Sequence, residues 1–179
     1  MRIYTRKGDD GTTGLYFGGR VRKDSARIEL NGAVDEAQAA IGMARVEFDA
    51  ASEPNELLAH VERDLYVLMA EVATAPKNRG RLIAGTSLVT EEMVEWLERQ
   101  IDALSQRFEM PSDFVIPGEN RASATLDLAR TIARRAERTA VSMNMDGSAV
   151  PRYLNRLSDL LWVFARWQEG LHRLARDKT

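Results

Sequence analysis

Apolar residues recur at alternating steps of three and four along five stretches of this chain. Val34, Ala37, Ile41 and Ala44 make the first stripe. Leu58, Val61, Leu65, Leu68 and Val72 make the second, behind Pro54. Val94, Leu97, Ile101, Leu104 and Phe108 make the third, with Thr90 as N-cap and Met93 on the flank. Leu126, Ala129, Ala133, Ala136 and Ala140 make a fourth, built of small residues, and Leu154, Leu157, Leu161 and Phe164 a fifth, with Pro151 in its first turn. Steps of three and four put each stripe on one helical face. Five such helices with short connections predict an all-α, left-handed helical bundle. The alanine stripe lets the fourth helix approach its neighbours closely.

Three stretches break the pattern. "PKNRGRLIAGTS" (Pro76–Ser87) reads as a polar loop between the second and third helices. "EMPSDFVIPGEN" (Glu109–Asn120) carries two prolines and a glycine. The third, "TRKGDDGTTGLYFGGRVRKD" (Thr5–Asp24), holds five glycines, three threonines and five cationic residues, and few apolar side chains. There is no internal repeat. One domain over 1–179 is the simplest organisation, with 1–24 as an arm and 25–179 as the bundle.

Composition narrows the classes. A length of 179 residues suffices for one real core. A net charge of −2 argues against general nucleic-acid binding. The absence of cysteine removes disulfides, thiolate metal sites and cysteine nucleophiles. No apolar run approaches the roughly 20 residues of a membrane span, and no signal-peptide core opens the chain. A cytoplasmic protein, off the membrane, is expected.

The opening stretch has the chemistry of a phosphate cradle. Glycines permit positive φ, and successive backbone N–H groups then converge on an anion. Thr5, Thr12 and Thr13 add hydroxyls, and Lys7, Arg20, Arg22 and Lys23 add charge. Asp9 and Asp10 repel phosphate unless they hold Mg²⁺ or orient the loop. The stretch is neither a Walker A loop nor a dinucleotide fingerprint. A solvated, flexible arm is the other reading of the same composition.

"ARTIARRAER" (Ala129–Arg138) places Arg130, Arg134 and Arg138 at i, i+4 and i+8, on one face of the fourth helix. Arg135 points aside, and Glu137 lies one turn beyond Arg134. A solvated basic face and an anion site both fit; arginine forks suit phosphate oxygens. Asn155 and Asp159 stand at i, i+4 on the last helix, as surface groups or as groups pointing into a site. Asp35 and Glu36 read as acidic residues early in the first helix, complementing its N-terminal partial charge. Phe114, in a loop, reads by default as a core plug. His60 follows Glu56 at i+4 as a surface pair.

Taken in order, "YTRKGDDGTTGL", "RVRKD", "GAVDEA", "FVIPGEN", "ARTIARRAER" and "YLNRLSDLLWVFAR" resemble the ATP:cob(I)alamin adenosyltransferases of the trimeric, propanediol-utilisation type. The match spans nearly the whole chain. The resemblance implies a five-helix bundle, ferritin-like and cobalamin adenosyltransferase-like, with a Gly-rich N-terminal arm that wraps ATP. It implies transfer of the 5′-deoxyadenosyl group of ATP to the cobalt of cob(I)alamin, with release of triphosphate. It implies a homotrimer with sites between subunits, Mg²⁺ carried mainly by the ATP phosphates, and partners such as a reductase and a B12-dependent enzyme.

Carried over by position, the resemblance assigns ATP binding to Thr5, Arg6, Lys7, Gly8, Thr13, Gly14 and Lys23, and to Arg134, Arg135, Glu137, Arg138 and Asn155. It makes Asp35 and Arg130 a salt-bridged pair beside the corrin, and Phe114 the aromatic that displaces the lower axial ligand of cobalt. Arg134, Phe114, Asp35 and Arg130 are thus the expected catalytic group. This chain differs from the usual pattern at Lys7, Ala37, Gln38, Glu119, Asn120 and Asp127; at Asp127 a histidine is common. A non-catalytic ATP- or corrinoid-binding sensor or delivery protein on the same bundle is the alternative from another class. A di-iron bundle is disfavoured, because neither His60 nor His172 belongs to a Glu-x-x-His pair.

Overall fold

A computed structural model of the chain describes residues 3–176. The outermost ends of the expected arm and bundle, residues 1–2 and 177–179, lie outside the described residues. The five periodic stretches are helices: α1 (Ala26–Arg45), α2 (Glu53–Val72), α3 (Glu91–Ser105), α4 (Arg121–Ser142) and α5 (Val150–Glu169).

The starts of these helices follow from local chemistry. Ser52 accepts a hydrogen bond from the Asn55 N–H at 3.4 Å, and Pro54 sits in the first turn, where its missing N–H costs nothing. Asn120 caps α4 with a capping box: its side chain accepts from the Ser123 N–H at 2.8 Å, and the Ser123 hydroxyl accepts from the Asn120 N–H at 3.4 Å. Such a cap contributes about 1 kcal/mol. Thr90 occupies the N-cap position of α3 without a side-chain cap bond.

All of the stripe residues are buried except Ile101 and Phe108, which are half-buried against the same core. Helix α1 lies between α2 and α4, and α5 lies between α4 and α3. The pairs Glu47–Arg121 and Glu36–Arg135 run in opposite senses along α1 and α4, so these helices are antiparallel. Glu137–Asn155 and Asp127–Arg166 establish the same for α4 and α5. Ala129, Ala133, Ala136 and Ala140 are fully buried between α1 and α5. Their small side chains permit the close approach of both neighbours.

Two loops are more ordered than their composition suggests. The polar loop after α2 contains a 3₁₀ turn, Pro76–Arg81. Buried Glu71 ties it down, accepting from Arg79 at 2.5 Å, from the Ser148 hydroxyl at 2.6 Å and from the Val89 N–H at 2.8 Å. The arm contains a hairpin of β1 (Thr12–Gly14) and β2 (Arg20–Arg22), antiparallel with Thr13 opposite Val21. Gly18 and Gly19 turn it with φ of +93° and +96°, which glycine adopts without steric cost. Among the described residues, no helix is long and apolar enough to cross a membrane.

Candidate active site

The arm docks at one end of the bundle. The Tyr16 N–H donates to the Ala73 carbonyl at 2.9 Å, just beyond α2, and Arg81 lies 4.2 Å from the centre of the Phe17 ring. Arg20 organises the stretch before it, donating to the Thr12 hydroxyl at 2.6 Å and to the Lys7 carbonyl. Asp10 accepts from the Thr12 N–H at 2.9 Å and from its hydroxyl at 2.8 Å. Those two bonds hold its carboxyl below the usual carboxylate range, the hydroxyl bond contributing most. Of the two expected roles for this acid, orienting the loop is the one its contacts display.

Thr5, Arg6, Lys7, Gly14 and Lys23 are exposed, and Gly8 and Thr13 are half-buried. Arg6 is held at φ +58°, a left-handed conformation uncommon outside glycine. Gly8 is needed for space: a Cβ there would meet the Thr12 carbonyl oxygen at 3.0 Å and Lys23 Nζ at 3.1 Å. The Lys23 ammonium therefore lies directly over the loop that carries Lys7 and Gly8.

Along α4, Arg130, Arg134 and Arg138 form a row roughly 12 Å long, at 1.5 Å per residue. Arg134 is exposed, and its side chain makes no hydrogen bond or salt bridge among the described residues. Its charge acts on Asp159, whose carboxyl is pushed up by burial and by Glu137, against Arg156 and Arg134. Arg138 reaches back to the Arg134 carbonyl at 3.1 Å. Glu137 accepts from the Asn155 amide at 2.9 Å, and Arg156 donates to the other end of that amide. Arg135 turns aside and pairs with Glu36 of α1.

Asp35 and Glu36 sit in the middle of α1, which begins nine residues before Asp35, at Ala26. They are therefore not helix N-terminal acids; Glu29 is the acid of the first turn. Asp35 is exposed on a groove between α1 and α2, with Arg45, Glu62 and Tyr66. Among the described residues of one chain no hydrogen bond or ion pair joins Asp35 to Arg130: Arg130 pairs with Asp127, at 3.0 Å.

The opposite end of the row opens into a cleft of about 630 Å³, lined by Pro111, Phe114, Asp127, Arg130, Trp162 and Arg166 among others. Phe114 is 77 % exposed, so it is not a core plug. Its loop is held in place by the chain that follows α5. The Phe114 carbonyl accepts from the Ala175 N–H at 2.7 Å, and the Ile116 N–H donates to the Arg173 carbonyl at 2.8 Å. Arg173–Glu119 and Arg176–Asp113, each at 3.6 Å, flank that ladder. Presenting a large aromatic ring to water opposes the hydrophobic effect, by about 25 cal/mol per Å² of apolar surface. A ring so held is built to meet something apolar.

Sequence reasoning did not single out Trp162 or Arg166 in this cleft. An arginine closing the apolar run "LLWVFAR" was the one visible signal. His60 is not a surface partner of Glu56: it stacks on Trp96 at 3.9 Å and faces Asp64 at 3.7 Å. Among the described residues no group of three or more His, Asp or Glu side chains is placed to hold a metal ion.

The family model for cobalamin adenosyltransferase matches residues 3–168. The corrinoid adenosyltransferase of Citrobacter freundii is 41 % identical over 171 residues, covering 94 % of this chain and 95 % of that protein. That of Mycobacterium tuberculosis is 39 % identical over 192 residues, covering 97 % and 96 %. Among solved structures, a phenylalanine-to-histidine variant of a PduO-type ATP:corrinoid adenosyltransferase from Lactobacillus reuteri, complexed with cobalamin and ATP, superposes with a TM-score of 0.86 at 28 % identity, covering 98 % of this chain and 97 % of that one. With a match that runs from the arm to the last helix, the chain belongs to the cobalamin adenosyltransferase family.

Proposed function

We propose that this protein transfers the 5′-deoxyadenosyl group of ATP to the cobalt of cob(I)alamin, giving adenosylcobalamin and triphosphate. One observation carries the reading. The row of α4 arginines, with Arg134 uncommitted, joins the arm end of the bundle to a cleft that displays Phe114. A polyphosphate and a large apolar ring system each find their chemistry on this one helix. The relative from Lactobacillus reuteri, similar over 98 % of this chain, is complexed with both ATP and cobalamin.

In this reading residues 1–24 wrap ATP against the bundle of residues 25–179. Thr5, Arg6, Lys7, Gly8, Thr13, Gly14 and Lys23 contact ATP from the arm. Arg134, Arg135, Glu137, Arg138 and Asn155 contact it from α4 and α5. Mg²⁺ arrives on the phosphates, while Asp10 orients the loop through Thr12. Asp35 and Arg130, apart within one chain, pair across the subunits of a homotrimer beside the corrin.

The chemistry distributes as follows. Phe114 beneath the corrin excludes water and the lower axial ligand, which eases reduction of cob(II)alamin by a partner reductase. The cobalt of cob(I)alamin then attacks the 5′ carbon with its electron pair. The cobalt–carbon bond forms, the carbon–oxygen bond breaks, and triphosphate leaves with that bond's electrons. Arg134, Arg138 and Lys23 stabilise the charge that grows on the leaving group, through donors already in place. Alignment of cobalt, carbon and leaving oxygen supplies the remaining advantage. The product serves a B12-dependent enzyme, and the protein works in the cytoplasm.

The test is an anaerobic assay with ATP, Mg²⁺ and chemically reduced cob(I)alamin, followed by loss of cob(I)alamin absorbance. Adenosylcobalamin forming well above the protein-free rate supports the reading. No product, with ATP still raising the melting temperature, supports a non-catalytic binding protein instead.

A further inference from the structure

Asp127 is 4 % exposed on α4, and its two carboxylate oxygens face two different arginines. Oδ1 accepts from Arg130 Nε at 3.0 Å, and Oδ2 accepts from Arg166 Nη2. Arg166 is itself 2 % exposed, the largest fully buried side chain among the described residues. It also donates to Glu169 Oε1 at 2.9 Å, and its guanidinium lies 5.7 Å from the centre of the Trp162 ring. Asp127, Arg130, Trp162 and Arg166 all line the cleft that displays Phe114.

A buried ion pair contributes little net stability, because desolvation offsets the attraction. Core packing alone does not account for Asp127 and Arg166. Their arrangement does have a consequence for Arg130. That side chain is 25 % exposed and is gripped at Nε only. Its terminal nitrogens make no hydrogen bond or salt bridge among the described residues. Fixing Nε sets the plane of the guanidinium and leaves the ends of its fork for the cleft and for the Asp35 that meets it across the subunit boundary.

We propose that Asp127 is a positioning residue for Arg130, and that the buried guanidinium of Arg166 fixes Asp127 so that Arg130 keeps its terminal nitrogens aimed at the corrinoid and at Asp35, its pair across the subunit boundary. This inference rests on the reading that Arg130 serves the corrinoid. Neither Asp127 nor Arg166 touches substrate in it.

The experiment compares Asp127→Asn, Arg130→Ala and the double variant. It measures the dissociation constant of cob(II)alamin in the presence of MgATP by spectral titration, KM for each substrate, and melting temperature. Asp127→Asn weakens the corrinoid constant roughly tenfold, in the usual range of coupling between residues in contact. The KM for ATP moves less than about twofold, and the double variant is no worse than Arg130→Ala. The triple change Asp127→Asn, Arg166→Met and Glu169→Gln removes the buried charges together, which such sites tolerate. It shows the same corrinoid defect even if the single variant folds poorly. If Arg130→Ala leaves corrinoid binding intact, the reading beneath the inference fails. If Arg130→Ala weakens it but Asp127→Asn does not, or the two effects multiply, the positioning role alone is overturned. Equal losses for both substrates that track the melting temperature also overturn it, in favour of a structural pair.

Discussion

The carbonyl of Phe114 accepts a hydrogen bond from the backbone N–H of Ala175, so the aromatic at the mouth of the cleft is held from beyond the last helix. Ala175→Pro removes that donor without touching the core. The expected result is an unchanged ATP dissociation constant and a clear loss of the four-coordinate cob(II)alamin signal. In a Phe114→Ala background the same change has no further effect. A proline variant with the full signal sinks the idea.

Phe114→Ala itself leaves stability within about 0.5 kcal/mol, because the ring is largely in water. ATP binding persists, while the four-coordinate signal disappears from the electron paramagnetic resonance spectrum. Retention of the signal removes Phe114 from its assigned place under the cobalt.

Arg134→Ala takes one charge-assisted partner from the triphosphate. Such a bond contributes about 1.5–3 kcal/mol, or roughly 10- to 150-fold in kcat/KM for ATP. Steady-state kinetics at saturating cob(I)alamin measures this directly. An unchanged value excludes Arg134 from the site.

How much of this was legible from sequence depends on how local each signal is. The stripes on α1, α2, α4 and α5 are read from neighbours three and four residues away, and every stripe residue there is buried. The arm's hairpin depends on Arg20 reaching Lys7 and Thr12, and on Tyr16 meeting Ala73, contacts that no local pattern encodes. The start of α1 was hidden because its first turns, "ARIELNG", mix charge with apolar residues, so Asp35 looked terminal when it is central. An aromatic in a loop suggests burial on average; the pairing of this loop with residues after α5 is non-local, and Phe114 stays in water. Arg166 and Glu71 were overlooked because a buried charge makes sense only once its distant partners, Asp127 and Arg79, are known.

Glu71 offers a test of stability separate from function. Its buried carboxylate holds three donors from three segments. Glu71→Ala strands the Val89 N–H and Ser148 hydroxyl and releases the 3₁₀ turn, at a cost of about 2–4 kcal/mol. Denaturant unfolding measures the loss. A cost below about 0.5 kcal/mol means that water replaces the carboxylate without penalty.

The pH dependence of stability has a definite sign at Asp64. Burial pushes its carboxyl up, against the opposing influence of His60 and of the hydrogen bond from Tyr153 at 3.1 Å. The folded state therefore binds the proton more readily than the unfolded chain. Stability from this group falls as pH rises through the raised value and returns on acidification. As pH falls from neutrality through that raised value, the melting temperature of the parent protein gains on that of Asp64→Asn. A constant difference across that range contradicts the assignment.

The alanine stripe of α4 makes that helix a rail with almost no tolerance. Ala129, Ala133, Ala136 and Ala140 have no exposed surface, and the arginines that face the site are rooted next to Ala129 and Ala133 and two residues from Ala136 and Ala140. Adding even one methylene to a packed interior typically shifts backbone. On α4 such a shift carries Arg130, Arg134 and Arg138 with it. A library of variants would thus find these four alanines as sensitive as the arginines themselves, and loss of activity would precede loss of fold. Mutational scanning by activity alone would mistake a spacer for a chemical group.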